Sequence, residues 1–176
     1  MAKPKYKSRA TRCAEATGNI SMAAEEIRGI ANELTTLLDD YESDGEGVTA
    51  VKDEETITEI IDLIAPVPGQ FESADESKGE IEALSEEMGS WRDNMQGTNL
   101  ESTDKYSRVE EAASTLEDVS SNLDGVSEPE MPVKAEDGTM DIEKLRDYIE
   151  ELEQAAQELE DAASDAENVE FPGMFG

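Results

Sequence analysis

The sequence predicts an all-α fold, an antiparallel helical bundle of four main helices and one short helix, with heptad-like seams of coiled-coil character. Three observations carry this. Apolar residues recur at three-four spacing over long stretches, proline and glycine interrupt those stretches at a few places, and the connections between them are short. No such stretch hides its seam alone, so the helices pack together within the chain or between chains. The breaks favour a chain folded back on itself.

The first helix is expected from about Thr11 to Tyr41. Cys13, Ile20, Ile27, Leu34 and Tyr41 stand seven apart, with Ala16, Ala23, Ile30 and Leu37 interleaved. At 1.5 Å per residue this is roughly 45 Å of helix. An acidic loop around Asp44-Gly45-Glu46-Gly47 ends it. A short helix follows over Glu54 to Ala65, with Ile57, Ile60, Ile61 and Ile64 on one face, and Pro66 and Pro68-Gly69 terminate it.

Ser73 and Glu76 fit a capping box that would open the third helix, whose seam is Ile81, Leu84, Met88, Trp91 and Met95. The turn Gly97-Thr98-Asn99 leads to a fourth helix from about Ser102 to Leu123, with Tyr106, Val109, Ala113, Leu116, Val119 and Leu123 inward. So short a connection implies an antiparallel hairpin. A linker at about 125–140 precedes the most regular helix, in which Ile142, Leu145, Ile149, Leu152, Ala156, Leu159, Ala163 and Ala166 form the seam. The expected organisation is a basic arm (1–12), an acidic helical body (13–167) and an apolar tail (168–176).

The 176 residues carry 30 Glu and 15 Asp against 14 bases, a formal net charge of −31. Such charge repels nucleic acid and anionic lipid and suits basic proteins or cations. Adaptation to high salt is another source of so much acid, although such surfaces would lean more on Asp. The basic residues Lys3, Lys5, Lys7, Arg9 and Arg12 are concentrated in the first twelve positions, which contain no acid. That arm lies on the protein's own acidic body, on a neighbouring subunit or on nucleic acid. Direct nucleic-acid binding is expected only through it.

The sequence has no histidine and one cysteine, so an intrachain disulfide and an ordinary zinc site are excluded, and Cys13 reads as a small buried hydrophobe. Asp40, Glu42, Asp44 and Gly45 match positions one, three, five and six of a calcium loop, but position twelve is Val51 where a bidentate Glu belongs. A solvated acidic turn is the expectation, with no metal. A dimetal bundle in its usual form needs Glu-x-x-His. Neither a glycine-rich phosphate loop nor a nucleophile elbow is present. The expectation is a protein without cofactor that is not an enzyme. No apolar run approaches membrane-spanning length and the basic N-terminus lacks a signal peptide's apolar stretch, so no membrane association is expected and the protein reads as intracellular.

The residues expected to meet a partner are acidic. Asp141 to Glu167 contain eleven acids and two bases, net −9 over about 39 Å, or one charge per roughly 4.3 Å. One DNA strand presents a charge about every 3.4 Å. Glu110, Glu111, Glu117, Asp118, Glu150, Glu151, Glu153, Glu158, Glu160 and Asp161 are the candidate contacts, and Glu80, Glu82, Glu86 and Glu87 add to the third helix. Ordinary wet faces of a bundle also carry acids, but mix them with Lys at helical spacing. The C-terminal Phe171, Pro172, Met174 and Phe175 are candidate anchors for a partner's groove, or plugs for the end of the protein's own bundle.

The stretch Ser90-Trp91-Arg92-Asp93-Asn94-Met95, with Gly97-Thr98, Lys105-Tyr106, Glu110-Glu111-Ala112 and the ending Val169 to Gly176, resembles small acidic helical proteins of unknown role in tailed-phage genomes. The resemblance covers about a third of the chain and rests on seams and turns. It implies a mobile-element origin and carries no active-site residues. The leading functional expectation is a nucleic-acid mimic that occludes a host DNA- or RNA-binding enzyme, acting in the host-cell cytoplasm. The alternative is a virion structural or scaffold-like assembly protein that associates with itself.

Mutual repulsion among uncompensated carboxylates opposes the compact state. Raising NaCl from about 0.1 M to about 1 M shortens the Debye length from about 10 Å to about 3 Å. Scanning calorimetry is therefore expected to show a higher Tm at the higher salt, and an unchanged or lower Tm would contradict the repulsion.

Overall fold

The computed structural model describes residues 6–173 and is all-α, with five α-helices and one two-stranded antiparallel ladder of two residues per strand. Lys3, Lys5, Met174 and Phe175 lie outside the described residues. The helices are α1 (Arg9–Ser43), α2 (Glu54–Ile64), α3 (Val67–Met95), α4 (Asp104–Asp124) and α5 (Ile142–Glu167). The strands are β1 (Ala50–Val51) and β2 (Met140–Asp141), and a 3-10 turn spans Asn99–Ser102. The described chain divides into two compact units, a first of residues 6–21, 73–126 and 158–173 and a second of residues 22–72 and 127–157.

α1 begins two residues earlier than expected. Ser8 is its cap: Ser8 Oγ accepts from the Thr11 N–H at 3.1 Å, and the Ser8 carbonyl accepts from the Arg12 N–H at 3.0 Å. Arg9 and Arg12, expected in an arm preceding the helix, thus lie in its opening turns. The expected seam is buried from Cys13 to Leu34, but Leu37 and Tyr41 are only half-buried while Leu38 is fully buried. A straight helix drifts about 20° per heptad from a strict seven-residue repeat. Over four heptads that moves the buried stripe off its original file. Thr17, Ala24, Ala31 and Leu38, also seven apart, form an additional buried file.

Asp53 caps α2, its Oδ2 accepting from the Thr56 N–H at 3.1 Å and from the Thr56 hydroxyl at 2.6 Å. Ile57, Ile60 and Ile64 are buried, whereas Ile61, expected inward, is 41% exposed.

The prolines end α2, but the chain does not wait for Ser73 to become helical again. α3 starts at Val67, so Ser73 and Glu76 are interior helical positions and not a capping box. Pro68 falls in the first turn, where a missing N–H forfeits no helical hydrogen bond. The described α3 core is Val67 in the second unit and Ala74, Ser77, Ile81, Leu84, Met88 and Met95 in the first; Trp91 is half-buried.

In the first unit α3 and α4 run antiparallel. Gln96 Nε2 donates to Tyr106 Oη at 3.2 Å near one end of the pair, and Lys78 Nζ lies 2.9 Å from an Asp124 carboxylate oxygen near the other. The turn between them uses Gly97 at φ 73°, the 3-10 segment capped by Thr98, and Thr103, whose Oγ1 accepts from the Tyr106 N–H at 3.3 Å. α4 accordingly starts at Asp104, two residues later than expected.

In the second unit the ladder β1–β2 pairs Ala50 with Asp141 and Val51 with Met140, burying Val51 and Met140. Strands of two residues leave too short a pattern to be read in sequence. α1 and α5 run antiparallel there, with Arg28 Nη2 donating to Gln157 Oε1 at 3.1 Å and Arg146 reaching Asp39 and Glu42. Every expected seam residue of α5 is buried, joined by Tyr148, Ala155 and Ala162.

Leu152 is fully buried in the second unit. Leu152→Ala is expected to cost about 2–5 kcal/mol through lost burial and a residual cavity. Urea denaturation followed by circular dichroism checks this as a lower midpoint with an unchanged slope.

Candidate functional site

The ten candidate acidic residues fall into two sets. In the first unit Glu110, Glu111, Glu117 and Asp118 are exposed on α4, while on α5 Asp161 is exposed and Glu158 and Glu160 are half-buried. Glu110 with Glu117, and Glu111 with Asp118, are seven apart, which sets two parallel rows with carboxylates about 10.5 Å apart along each. In the second unit Glu150, Glu151 and Glu153 are exposed on α5. These side chains offer hydrogen-bond acceptors and negative charge. Among the described residues no group of three or more His, Cys, Asp and Glu is placed to hold a metal ion. Asp40 and Glu42 of the calcium-like pattern are helical residues of α1.

Five of the described cations lie against acids of their own unit. In the first unit Lys7 Nζ lies 2.8 Å from Glu15, Arg12 reaches both Glu80 and Glu87, the latter at 2.7 Å, and Arg9 Nε lies 3.5 Å from Glu87. Lys78 bridges Asp75 and Asp124 at 3.1 and 2.9 Å. In the second unit Arg146 bridges Asp39 and Glu42 at 2.7 and 3.0 Å. Hydrogen bonds donated by Arg12 to Glu80, by Lys78 to Asp124 and by Arg146 to Asp39 hold each cation's pKa above its ordinary value. Exposed pairs of this kind contribute little stability individually. Their consequence is distributional: these five cations are held against Glu15, Asp39, Glu42, Asp75, Glu80, Glu87 and Asp124.

The described part of the basic arm therefore lies on its own body. The described part of the tail does so too: Glu170 lies 3.5 Å from Arg108 of α4, Phe171 is half-buried and Pro172 is buried. These two candidate anchors present limited free surface. The Cys13 thiol is buried, donates to the Ala166 carbonyl at 3.6 Å, and has its pKa pushed up by burial. It is a packing residue.

No known protein family, curated protein or solved structure matches this chain. No described helix is long and apolar enough to cross a membrane.

Sequence reasoning missed the surroundings of Trp91. Its ring, half-buried on α3, has the Arg9 guanidinium 5.2 Å and the Lys105 ammonium 5.5 Å from its centroid. Both distances are in the range of cation–π attraction. The readable signal was the absence of any acid in the first turn of α1, which leaves Arg9 to find its countercharge on another helix.

Tyr148, in the second unit, is 3% exposed, and its hydroxyl has no hydrogen-bond partner among the described residues. Burial, with a smaller contribution from Glu128, pushes its pKa from 10.0 up to about 12. Below pH 10 the phenol is neutral in both states. Between pH 10 and about 12 the unfolded chain ionises first, so stability falls as pH rises. Tyr148→Phe is expected to abolish that part of the alkaline loss. At pH 7 it should hold or raise stability, by about 1 kcal/mol, because no hydrogen bond is given up. Denaturant melts of both proteins at neutral and alkaline pH check the two effects.

Proposed function

We propose that this chain is a non-enzymatic acidic module that binds a basic protein surface, most concretely as a nucleic-acid mimic occupying the cleft of a DNA- or RNA-binding enzyme. One observation carries the reading: Glu110, Glu111, Glu117 and Asp118 of α4 and Glu150, Glu151 and Glu153 of α5 are exposed, in a chain with 45 acids against 14 bases. Asp141 and α5 together bear net −9, a linear density near that of one phosphate strand. Such a row steers a cationic cleft into encounter and makes binding fall steeply with salt. The resemblance to small phage proteins implies a mobile-element origin, which would place the chain in the host cytoplasm.

The alternative, a virion or scaffold component, gives the basic arm a neighbouring subunit to bind. Lys7, Arg9 and Arg12 instead pair within the first unit, which supports the binder. Affinity capture from bacterial lysate at low and high salt tests this. The expected result is a nucleic-acid enzyme released by high salt and competed by DNA; recovery of only this protein or virion proteins would favour assembly.

Replacing Glu150, Glu151, Glu153, Glu158 and Glu160 together by Lys changes charge without touching the apolar stripe. Partner affinity is expected to drop by about 100-fold or more, consistent with juxtaposed like charges costing several kcal/mol. Unchanged affinity in a titration would eliminate α5 as the binding face.

A further inference from the structure

The start of α1 runs against its own electrostatics. The N-terminus of a helix carries partial positive charge and favours acids, yet Arg9 and Arg12 stand in its first turn and no acid does. Their stabilisation comes from α3, within the first unit. Arg12 engages Glu80 and Glu87, and Arg9 lies against Glu87 and the ring of Trp91. Glu80, Glu87 and Trp91 stand at i, i+7 and i+11, one face of α3, which matches two guanidinium groups three residues apart on a facing helix.

The fit is incomplete. Arg9 Nε is buried without a hydrogen-bond partner among the described residues. An open groove of about 660 Å³ lies beside it, lined by Glu86, Glu87, Ser90, Trp91 and Asn94. A second groove of about 450 Å³ beside Arg12 is lined by Glu15, Asn19, Glu76 and Glu80. The surface thus combines carboxylates, an aromatic face and room for more than the present occupant.

We propose that the α3 surface formed by Glu80, Glu87 and Trp91 is a receptor for a partner helix bearing two arginines three residues apart, and that Arg9 and Arg12 fill it in the free chain as an internal stand-in. This rests on the reading of the protein as a binder of basic surfaces and specifies the feature that this face recognises. A partner with its arginines near a helix C-terminus gains the same contacts with a favourable dipole. The outgoing turn lies at a helix end, where local opening is least costly. An internal ligand that closes the site about nine-tenths of the time lowers apparent affinity about tenfold.

The test uses the full chain and a labelled, alanine-rich helical peptide with two arginines three apart near its C-terminus. A control peptide places them five apart, on different faces. Binding is followed by fluorescence anisotropy at low salt. The double variant Arg9→Ala with Arg12→Ala is expected to bind the first peptide about tenfold more tightly than the unaltered chain. Glu80→Gln with Glu87→Gln is expected to lose it, and Glu25→Lys with Glu26→Lys and Glu33→Lys, exposed positions of α1, to retain it. Equal affinity in the unaltered chain and the arginine variant, or for the two peptides, would overturn the proposal. If circular dichroism shows the arginine variant unfolded, the unaltered chain decides: saturable binding that perturbs the emission of Trp91, the single tryptophan, and vanishes in the Glu80/Glu87 variant supports the receptor, and its absence overturns it. Loss in the Glu25/Glu26/Glu33 variant equal to that in the Glu80/Glu87 variant would sink this receptor as undirected charge attraction. It would leave the broader reading standing, which the lysate capture judges separately.

Discussion

Burial of narrow apolar stripes has to outweigh the self-repulsion of a chain with formal charge −31. A stripe of two residues per heptad suffices for a two-stranded seam, whereas a helix with more than one neighbour needs about three. α1 and α5 have three buried files, the third supplied by Thr17, Ala24, Ala31 and Leu38 in one and by Tyr148, Ala155 and Ala162 in the other. α3 keeps two. Many of these positions are alanine, which lets backbones approach closely but removes less apolar area per residue. Such packing leaves no interior room for charge, so acids are displaced outward.

That displacement organises the electrostatics. With 14 bases against 45 acids, the placement of each cation decides which acidic surface stays uncompensated. Arg146 clamps Asp39 and Glu42, Lys78 clamps Asp75 and Asp124, and Arg12 clamps Glu80 and Glu87. Each clamp joins residues far apart in sequence within one unit, so the energetic role and the surface consequence coincide. Glu110, Glu117, Glu150 and Glu153 remain outward. A row of fixed carboxylates on helices is more preorganised than a flexible acidic tail, which lowers the ordering entropy of association.

The inner polar positions follow the same logic. Thr17 is buried because its hydroxyl donates to the Cys13 carbonyl one turn back, and Tyr41, drifted out of the apolar stripe, accepts from the Lys52 N–H at 3.0 Å. Tyr148 departs from it, a buried phenol whose hydroxyl has no hydrogen-bond partner among the described residues. Local and global preferences conflict most openly where Arg9 and Arg12 meet the helix N-terminus, and such conflicts concentrate where a protein interacts.

The sequence by itself determined the all-α class, the five helices in order, nearly all of the core and the outward placement of the acids, because three-four periodicity and proline or glycine breaks act over a few turns. It could not locate the start of α3, since Pro68 is equally at home after a helix and in a first turn. The two-residue ladder, the capture of Arg12 by Glu80 and Glu87, the cations about Trp91 and the return of Pro172 were decided only by tertiary structure. Their partners lie tens of residues away, and long-range pairing leaves no periodic trace in a single chain.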